Sequence, residues 1–345
     1  MPACDTVPLM INAFIKFGDG RISRETDNKT LTQALRDRKA VFWIDMNKPT
    51  DEELSILDDV FGFHPLAIED TIQYNQRPKI ESYNHTGEGC SEGYFYMVVH
   101  GPDLMSFREN LRTKELDIFM SARYLLTIHE ESMKSVEGVL TRAEADPMVV
   151  LEPGIDLLLH NILDHLVDHY TPILDFLGEE IDELEDKAVS EPTPDLLQKV
   201  AQKKRDLLNL RRIIGPQREV LAQLTRGEVP FIRESTRIYL RDVQDHLTRA
   251  VESIELYRDL VLGARDIYLS SVSNHLNQIV KTLTIITVVA LPMTVITSFF
   301  GMNFSNEVGS FDSVLHSQAA FWIVMSVMMT LVLGLLWMFK RKKWF

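Results

Sequence analysis

TLTIITVVALPMTVITSFF, residues Thr282 to Phe300, is a run of nineteen residues without a formal charge, followed at once by Gly301-Met302-Asn303. A helix rising about 1.5 Å per residue needs roughly 20 such residues to cross the hydrocarbon core of a bilayer. A second uncharged run of nineteen, Phe321 to Phe339, comes after a short gap and ends in Lys340-Arg341-Lys342-Lys343. The chain before Thr282 is polar in character. The pattern therefore predicts a large soluble region ending in a helical hairpin through a membrane.

Working outward, the 345 residues leave room for one or two soluble domains ahead of the hairpin. The formal net charge is −14, with acids densest in EEIDELED, Glu179 to Asp186. Such an excess repels nucleic acid and attracts cations. Cys4 and Cys90 share no metal-ligand spacing and suggest no disulfide framework, which fits a reducing cytoplasm. The N-terminus lacks a basic n-region, so it does not read as a signal peptide. Lys281 and Lys340 to Lys343 flank the two runs, whereas the connecting loop, Gly301 to Ala320, has no Lys or Arg and carries Glu307 and Asp312. By the positive-inside rule both termini are expected in the cytoplasm.

From Pro8 to about Glu130, short β-rich runs (MINAFIKF, AVFWIDM, GYFYMVVH, LDIFMSA, YLLTIHE) alternate with Gly, Pro and Asn punctuation. Thr50 followed by three acids reads as a capped helix start, and His64-Pro65 leads into a second short helix, LAIEDTIQ. This predicts an α/β domain with a mixed or mostly antiparallel sheet. From about Ile155 to Arg226 the apolar spacing turns helical. An acidic helix with Pro172 and Gly178 as local irregularities is followed, after Glu191-Pro192, by a basic one that Thr193 caps and Pro194 opens. Between Pro230 and Pro292 there is no proline, and Gly263 is the only glycine. Ile238, Val243, Leu247, Val251, Ile254, Tyr257, Val261, Ala264 and Tyr268 approach a heptad seam there, which argues for self-association along a stalk.

Within the first run, Thr284, Thr287, Thr294 and Ser298 step by three, seven and four, with Leu291 completing the row and Val280 and Asn277 continuing it toward the stalk. Two readings stay open. The hydroxyls bond to backbone or neighbouring helices, or they line a water-filled path that several copies of the helix enclose. Pro292 is compatible with both. Gly301 permits a tight helix exit, and Asn303 presents a carboxamide there. A ring of amides suits an ion that keeps its water, as Mg2+ does. No phosphate-binding Gly loop or nucleophile constellation is present, so no enzyme is expected.

At these residues the sequence resembles the CorA family of magnesium and divalent-cation channels. Phe300-Gly301-Met302-Asn303-Phe304 is similar to that family's signature at the end of the first span. Tyr268 to Asn274 and Thr282 to Ile286 resemble the helix before it, and Lys340 to Phe345 its basic tail. Upstream, His64 to Asp70 and Gln76 to Glu81 resemble the signature of its soluble domain.

The resemblance implies a homopentameric funnel in the cell inner membrane. Each subunit has an α+β cytoplasmic domain (an α/β/α sandwich), a long stalk helix and two transmembrane helices. Along this chain that gives the α/β domain at 1–150, acidic and basic "willow" helices at 151–230 and the stalk at 231–281. The first membrane helix with the Gly-Met-Asn motif falls at 282–303, the external loop at 304–320, the second membrane helix at 321–339 and the tail at 340–345. By the same resemblance Gly301, Met302 and Asn303 form the selectivity filter. Asn277, Val280, Leu283, Thr284, Thr287, Leu291, Thr294 and Ser298 line the pore. Asp70 and Asp266 hold a regulatory Mg2+ between subunits, and Glu69, Asp164, Asp242 and His246 a second metal. Asp242 and His246 also read as a plain i,i+4 surface pair.

Departures from the family pattern are Phe300 for Tyr, Val280 and Leu291 where Met is common, Ser298 for Gly, and a loop without Met-Pro-Glu-Leu. The expected function is gated, passive uptake of hydrated Mg2+, with Co2+ and Ni2+ as further candidate ions. The alternatives are Zn2+ transport of the ZntB-like kind, against which Met302 argues, and a membrane-anchored sensor that passes no ion.

Overall fold

In the computed structural model, the described residues are 11–83, 93–107, 111–301 and 318–344. They divide into two compact units, Met1–Lys187 with Thr193–Ala264, and Ala188–Pro192 with Arg265–Phe345.

The first unit is built on a seven-stranded sheet. Its strands are β1 (Ile11–Lys16), β2 (Ile22–Ser23), β3 (Val41–Asn47), β4 (Lys79–Tyr83), β5 (Tyr94–Pro102), β6 (Thr113–Met120) and β7 (Tyr124–His129), in the order β2-β1-β3-β7-β6-β5-β4. The β3–β7 pair is parallel, with Phe42 opposite Tyr124, and every other pair is antiparallel. The central strands read as near-continuous apolar runs because both faces are covered. On one face Ile15, Phe42, Ile44, Leu126 and Tyr96 meet Leu31, Leu57, Phe61 and Phe63 in one buried core. Those last residues come from α1 (Asn28–Arg36), α3 (Ile56–Asp59) and the turn after it, with α2 (Asp51–Leu54) and α4 (Pro65–Ile72) beside them. The opposite face carries α5 (Lys134–Ala145), α6 (Pro147–Leu151) and α7 (Ile155–Asp168). There the fully buried Trp43 donates from Nε1 to Thr127 Oγ1 at 3.0 Å, and that hydroxyl donates to Asp45. The fold is an α/β/α sandwich.

Local signals explain where helices begin. Thr50 and Glu53 form a complete capping box at α2, and His64 caps α4 through Nδ1 with Pro65 at the first helical position. At α4, Asp70 and Glu69 are thereby set on a helix whose start is fixed.

The remaining helices are α8 (Tyr170–Ser190), α9 (Pro194–Arg226), α10 (Glu234–Phe300) and α11 (Gln318–Arg341). The acidic segment expected as one helix breaks at His169, so α7 and α8 are separate. Thr193 stands at the start of α9 without a side-chain capping bond, contrary to the sequence expectation; Pro194 supplies the fixed φ by itself. The acidic and basic helices do meet, through Lys203 Nζ and Glu180 Oε2 at 2.5 Å.

The stalk seam behaves differently from its sequence reading. Val243, Leu247, Val251, Ile254, Val261 and Ala264 are buried within the single chain, whereas Ile238 is exposed. Gly178 on α8 makes one such contact possible. A Cβ there would lie 2.7 Å from the Tyr257 hydroxyl, so any larger residue would force the Tyr257 ring to shift. Arg211 of α9 adds an ion pair to Glu255 at 3.0 Å. From Val243 to Ala264 most of the heptad spacing is thus buried within the single chain, while Ile238 is not.

In the second unit, α10 is polar from Arg265 to Lys281 and apolar from Thr282 to Phe300, and α11 is apolar along Phe321 to Phe339. Each is long enough to cross a bilayer, and none of the apolar window of either is buried within the chain. Lys281 Nζ donates to the Lys343 carbonyl at 3.4 Å, which brings the basic ends of the two apolar runs together.

Candidate functional site

Among the described residues, the predicted row on α10 is largely exposed. Val280, Leu283 and Leu291 are more than half exposed, and Asn277, Thr287, Thr294 and Ser298 are exposed as well, with Thr284 intermediate. The threonines are not idle. Thr284, Thr287 and Thr294 donate their hydroxyl protons to the carbonyls of Val280, Leu283 and Ala290 at 2.7, 2.9 and 2.9 Å. The first of the two sequence readings is therefore realised, and it does not exclude the second. With the proton committed to the backbone, each Oγ1 turns only lone pairs outward. The helix ends at Phe300, and Gly301 N–H closes the last turn on Thr297 O at 2.9 Å. Met302 and Asn303, with Glu307 and Asp312, lie outside the described residues.

Asp70 and Asp266 differ sharply in surroundings. Asp266 is exposed on α10, its carboxylate 3.7 Å from Arg265 Nε and its side chain 75% accessible. Asp70 Oδ2 lies 2.5 Å from Lys79 Nζ, which also reaches Glu81 Oε1 at 3.2 Å. Neither Lys79 nor Glu81 was singled out from sequence as a partner. Their alternation on one strand, with Asp70 one loop earlier, is the signal that would have found them.

Two further carboxylates stand on the same sheet face as Lys79. The register sets Lys79 opposite Val98 and Val98 opposite Asp117, with Glu115 two residues before. Burial holds the Asp117 carboxyl well above its usual range, and the Tyr96 hydroxyl donates to its Oδ1 at 2.6 Å. Glu115 is also pushed up by burial, to about 7, although it accepts from the Asn75 and Gln76 N–H groups at 2.8 Å each. It thereby fixes the loop between α4 and β4, where Asn75 has φ +75.

The sign of the resulting pH effect follows directly. An acid whose folded pKa is raised binds a proton in the folded chain that the unfolded chain releases, so stability falls as pH rises from about 4.5 to about 7. Glu115→Gln keeps a carbonyl for the loop and cannot ionise. The detergent-solubilised full chain carrying it should be the more stable form near pH 8 by about 1–3 kcal/mol, with the advantage vanishing near pH 5. Thermal unfolding across that range checks it, and Asp117 leaves a residual slope of the same sign in both proteins.

The second predicted metal group is not gathered within one chain. His246 Nε2 is 3.7 Å from Asp242 Oδ2, as expected for the i,i+4 pair, but its Nδ1 turns to Asp168 at 3.1 Å. Asp168, one turn beyond Asp164 on α7, was missed from sequence. Glu69 accepts from Nε2 of Gln73, the residue that caps the end of its helix, at 3.0 Å. Among the described residues no three His, Cys, Asp or Glu side chains are arranged to hold a metal ion.

Comparisons place this geometry among known proteins. Residues 38–341 match the family described as CorA-like Mg2+ transporter protein. The cobalt/magnesium transport protein CorA of Thermotoga maritima is 32% identical over 314 residues, covering 90% of this chain and 85% of that protein. The zinc transport protein ZntB of Yersinia pestis is 26% identical over 245 residues, covering 70% of this chain and 72% of that protein. The structure of the CorA magnesium transporter from Methanocaldococcus jannaschii superimposes with a TM-score of 0.76 at 26% identity. It covers 97% of this chain and 99% of that one.

Proposed function

Because the chain belongs to the CorA-like Mg2+ transporter family, we propose that it is a passive uptake channel for hydrated Mg2+, closed by intracellular Mg2+. It is a membrane transporter of divalent cations and not an enzyme. In this proposal five copies surround one pore in the cell inner membrane, with both termini in the cytoplasm. The α/β domain, willow helices, stalk, two spans, external loop and tail take the boundaries expected from the sequence. Gly301, Met302 and Asn303 form the outer filter. Asn277, Val280, Leu283, Thr284, Thr287, Leu291, Thr294 and Ser298 face the ion path. Mg2+ is both cargo and regulator, with Co2+ and Ni2+ as further cargo. Asp70 and Asp266 serve the regulatory site between neighbouring subunits. Asp242 and His246 serve a second one with Glu69 and Asp164.

The observation that carries the reading is the exposed hydroxyl row on an apolar helix. A hydrated cation turns its water hydrogens outward, and a hydroxyl already bonded to its own backbone offers those hydrogens lone pairs alone. Such a row favours an ion that keeps its shell, as Mg2+ does, because dehydration is costly for it. The driving force needs no ATP. A membrane potential supplies about 2.3 kcal/mol per charge per 100 mV, and twice that for a divalent ion. The positive-inside rule, applied to the basic ends that meet at Lys281 and Lys343, supports the cytoplasmic placement.

The test is flux into proteoliposomes holding the full chain. An inside-negative potential should drive Mg2+ entry that an internal fluorescent indicator reports. No entry of any divalent ion would leave the anchored sensor, and entry of Zn2+ in preference to Mg2+ would favour the ZntB-like reading.

A further inference from the structure

Asp70 is held by a cation that belongs to the protein itself. Lys79 Nζ lies 2.5 Å from Asp70 Oδ2 and 3.2 Å from Glu81 Oε1, and 5.5 Å from the centre of the Tyr96 ring. Glu81 is fixed in turn, accepting from the Tyr83 hydroxyl at 2.6 Å. The Lys79 and Asp70 side chains are only 28% and 25% accessible, so water and salt screen this pair less than an exposed one. From β6, Asp117 stands on the same sheet face. The ammonium is thus seated among carboxylates from α4 and β4 and against an aromatic ring of β5.

We propose that Lys79 is a built-in counter-cation of Asp70: a divalent ion must take the carboxylate from the ammonium, and Lys79 thereby sets the Mg2+ concentration at which the regulatory site fills. This rests on the reading of Asp70 as a regulatory carboxylate. The arithmetic is that of a competing state. If the pair is closed nine-tenths of the time, the metal meets a free carboxylate one-tenth of the time, and its apparent Kd rises about ten-fold. Should the ion bind while the ammonium stays in place, repulsion between the two cations weakens binding in the same direction. A sensor of an abundant ion needs such weakening. A carboxylate left unopposed beside Glu81 would stay occupied at concentrations far below those the cell has to report.

The experiment compares Lys79→Met, Lys79→Arg and Asp70→Asn in the full chain, with two readouts. One is the internal Mg2+ that halves uptake in proteoliposomes. The other is the Mg2+ that half-protects the detergent-purified protein from chymotrypsin, which needs no transport. Lys79→Met should lower both midpoints about ten-fold, and Lys79→Arg, which keeps the charge, should leave them near wild type. If Lys79→Met does not fold, Lys79→Gln carries the same expectation with the same sign. Midpoints that stay put or rise in the uncharged variants overturn the proposal. Asp70→Asn separates the two ideas. If it leaves both midpoints unmoved, the regulatory reading of Asp70 fails and takes this inference with it. If it shifts them while Lys79→Met does not, only the counter-cation is lost.

Discussion

Asn303→Ala should abolish Mg2+ uptake while leaving the protein folded and inserted. The first apolar helix ends at Phe300, where Gly301 N–H closes the last turn on Thr297, and Asn303 follows two residues later in the sequence. A carboxamide there presents one acceptor and two donors without a charge. In the proposed pentamer five of them hold the water shell of a divalent ion and release it again, where carboxylates would bind it too tightly to pass. Alanine offers nothing to a water shell, so the ion meets an apolar mouth. Removing a specific group that binds charge in a narrow site costs roughly two to three orders of magnitude in rate, by analogy with preorganised donors at catalytic centres. Ion-indicator flux in proteoliposomes measures this, with the thermal midpoint of the variant as control. Uptake retained within about two-fold would sink the amide ring.

Asp266→Ala should free uptake from internal Mg2+. Asp266 is 75% accessible in the single chain, and its charged neighbour is Arg265 at 3.7 Å on the same helix. Exposed ion pairs contribute about 0–1 kcal/mol, so alanine costs the fold little. Whatever the substitution changes is therefore read at the level of regulation. If Asp266 shares a divalent ion with a neighbouring subunit, its loss removes the ion's differential affinity for the closed state, and with it the closing force. The internal Mg2+ that halves uptake should rise about ten-fold or more. An unchanged inhibition curve would remove Asp266 from the regulatory site and leave the channel proposal standing.

The parts legible in sequence were those governed by local rules. The two uncharged runs, the Thr50 capping box, the His64-Pro65 helix start and the five apolar strands each follow from a pattern within about ten residues. β4 was missed because KIESY alternates charged and apolar residues on an edge strand and carries little apolar signal. α1 was missed although Asp27 caps it, since its acidic and basic neighbours hid the short apolar stripe of Leu31, Ala34 and Leu35. The break at His169 was announced by Pro172, whose ring excludes the helical bond to the Asp168 carbonyl, but it was read only as an irregularity within one helix. The site divides in the same way. The hydroxyl row is a one-helix pattern and could be read directly. Asp70 with Lys79, and His246 with Asp168, join different elements, and only the fold brings them together.

The buried stalk seam bears on how the protein is made. α8 and α9 are synthesised before α10, so Val243, Leu247, Val251 and Ile254 leave the ribosome with their partners already waiting. A seam left open for other subunits would instead be a sticky apolar stripe on every nascent chain, prone to pairing with the wrong copy while translation continues. Closing it within the chain removes that stripe along Val243 to Ala264. In the proposed pentamer, contacts between copies are then left to surfaces that the single chain leaves exposed, the apolar runs Thr282 to Phe300 and Phe321 to Phe339 among them.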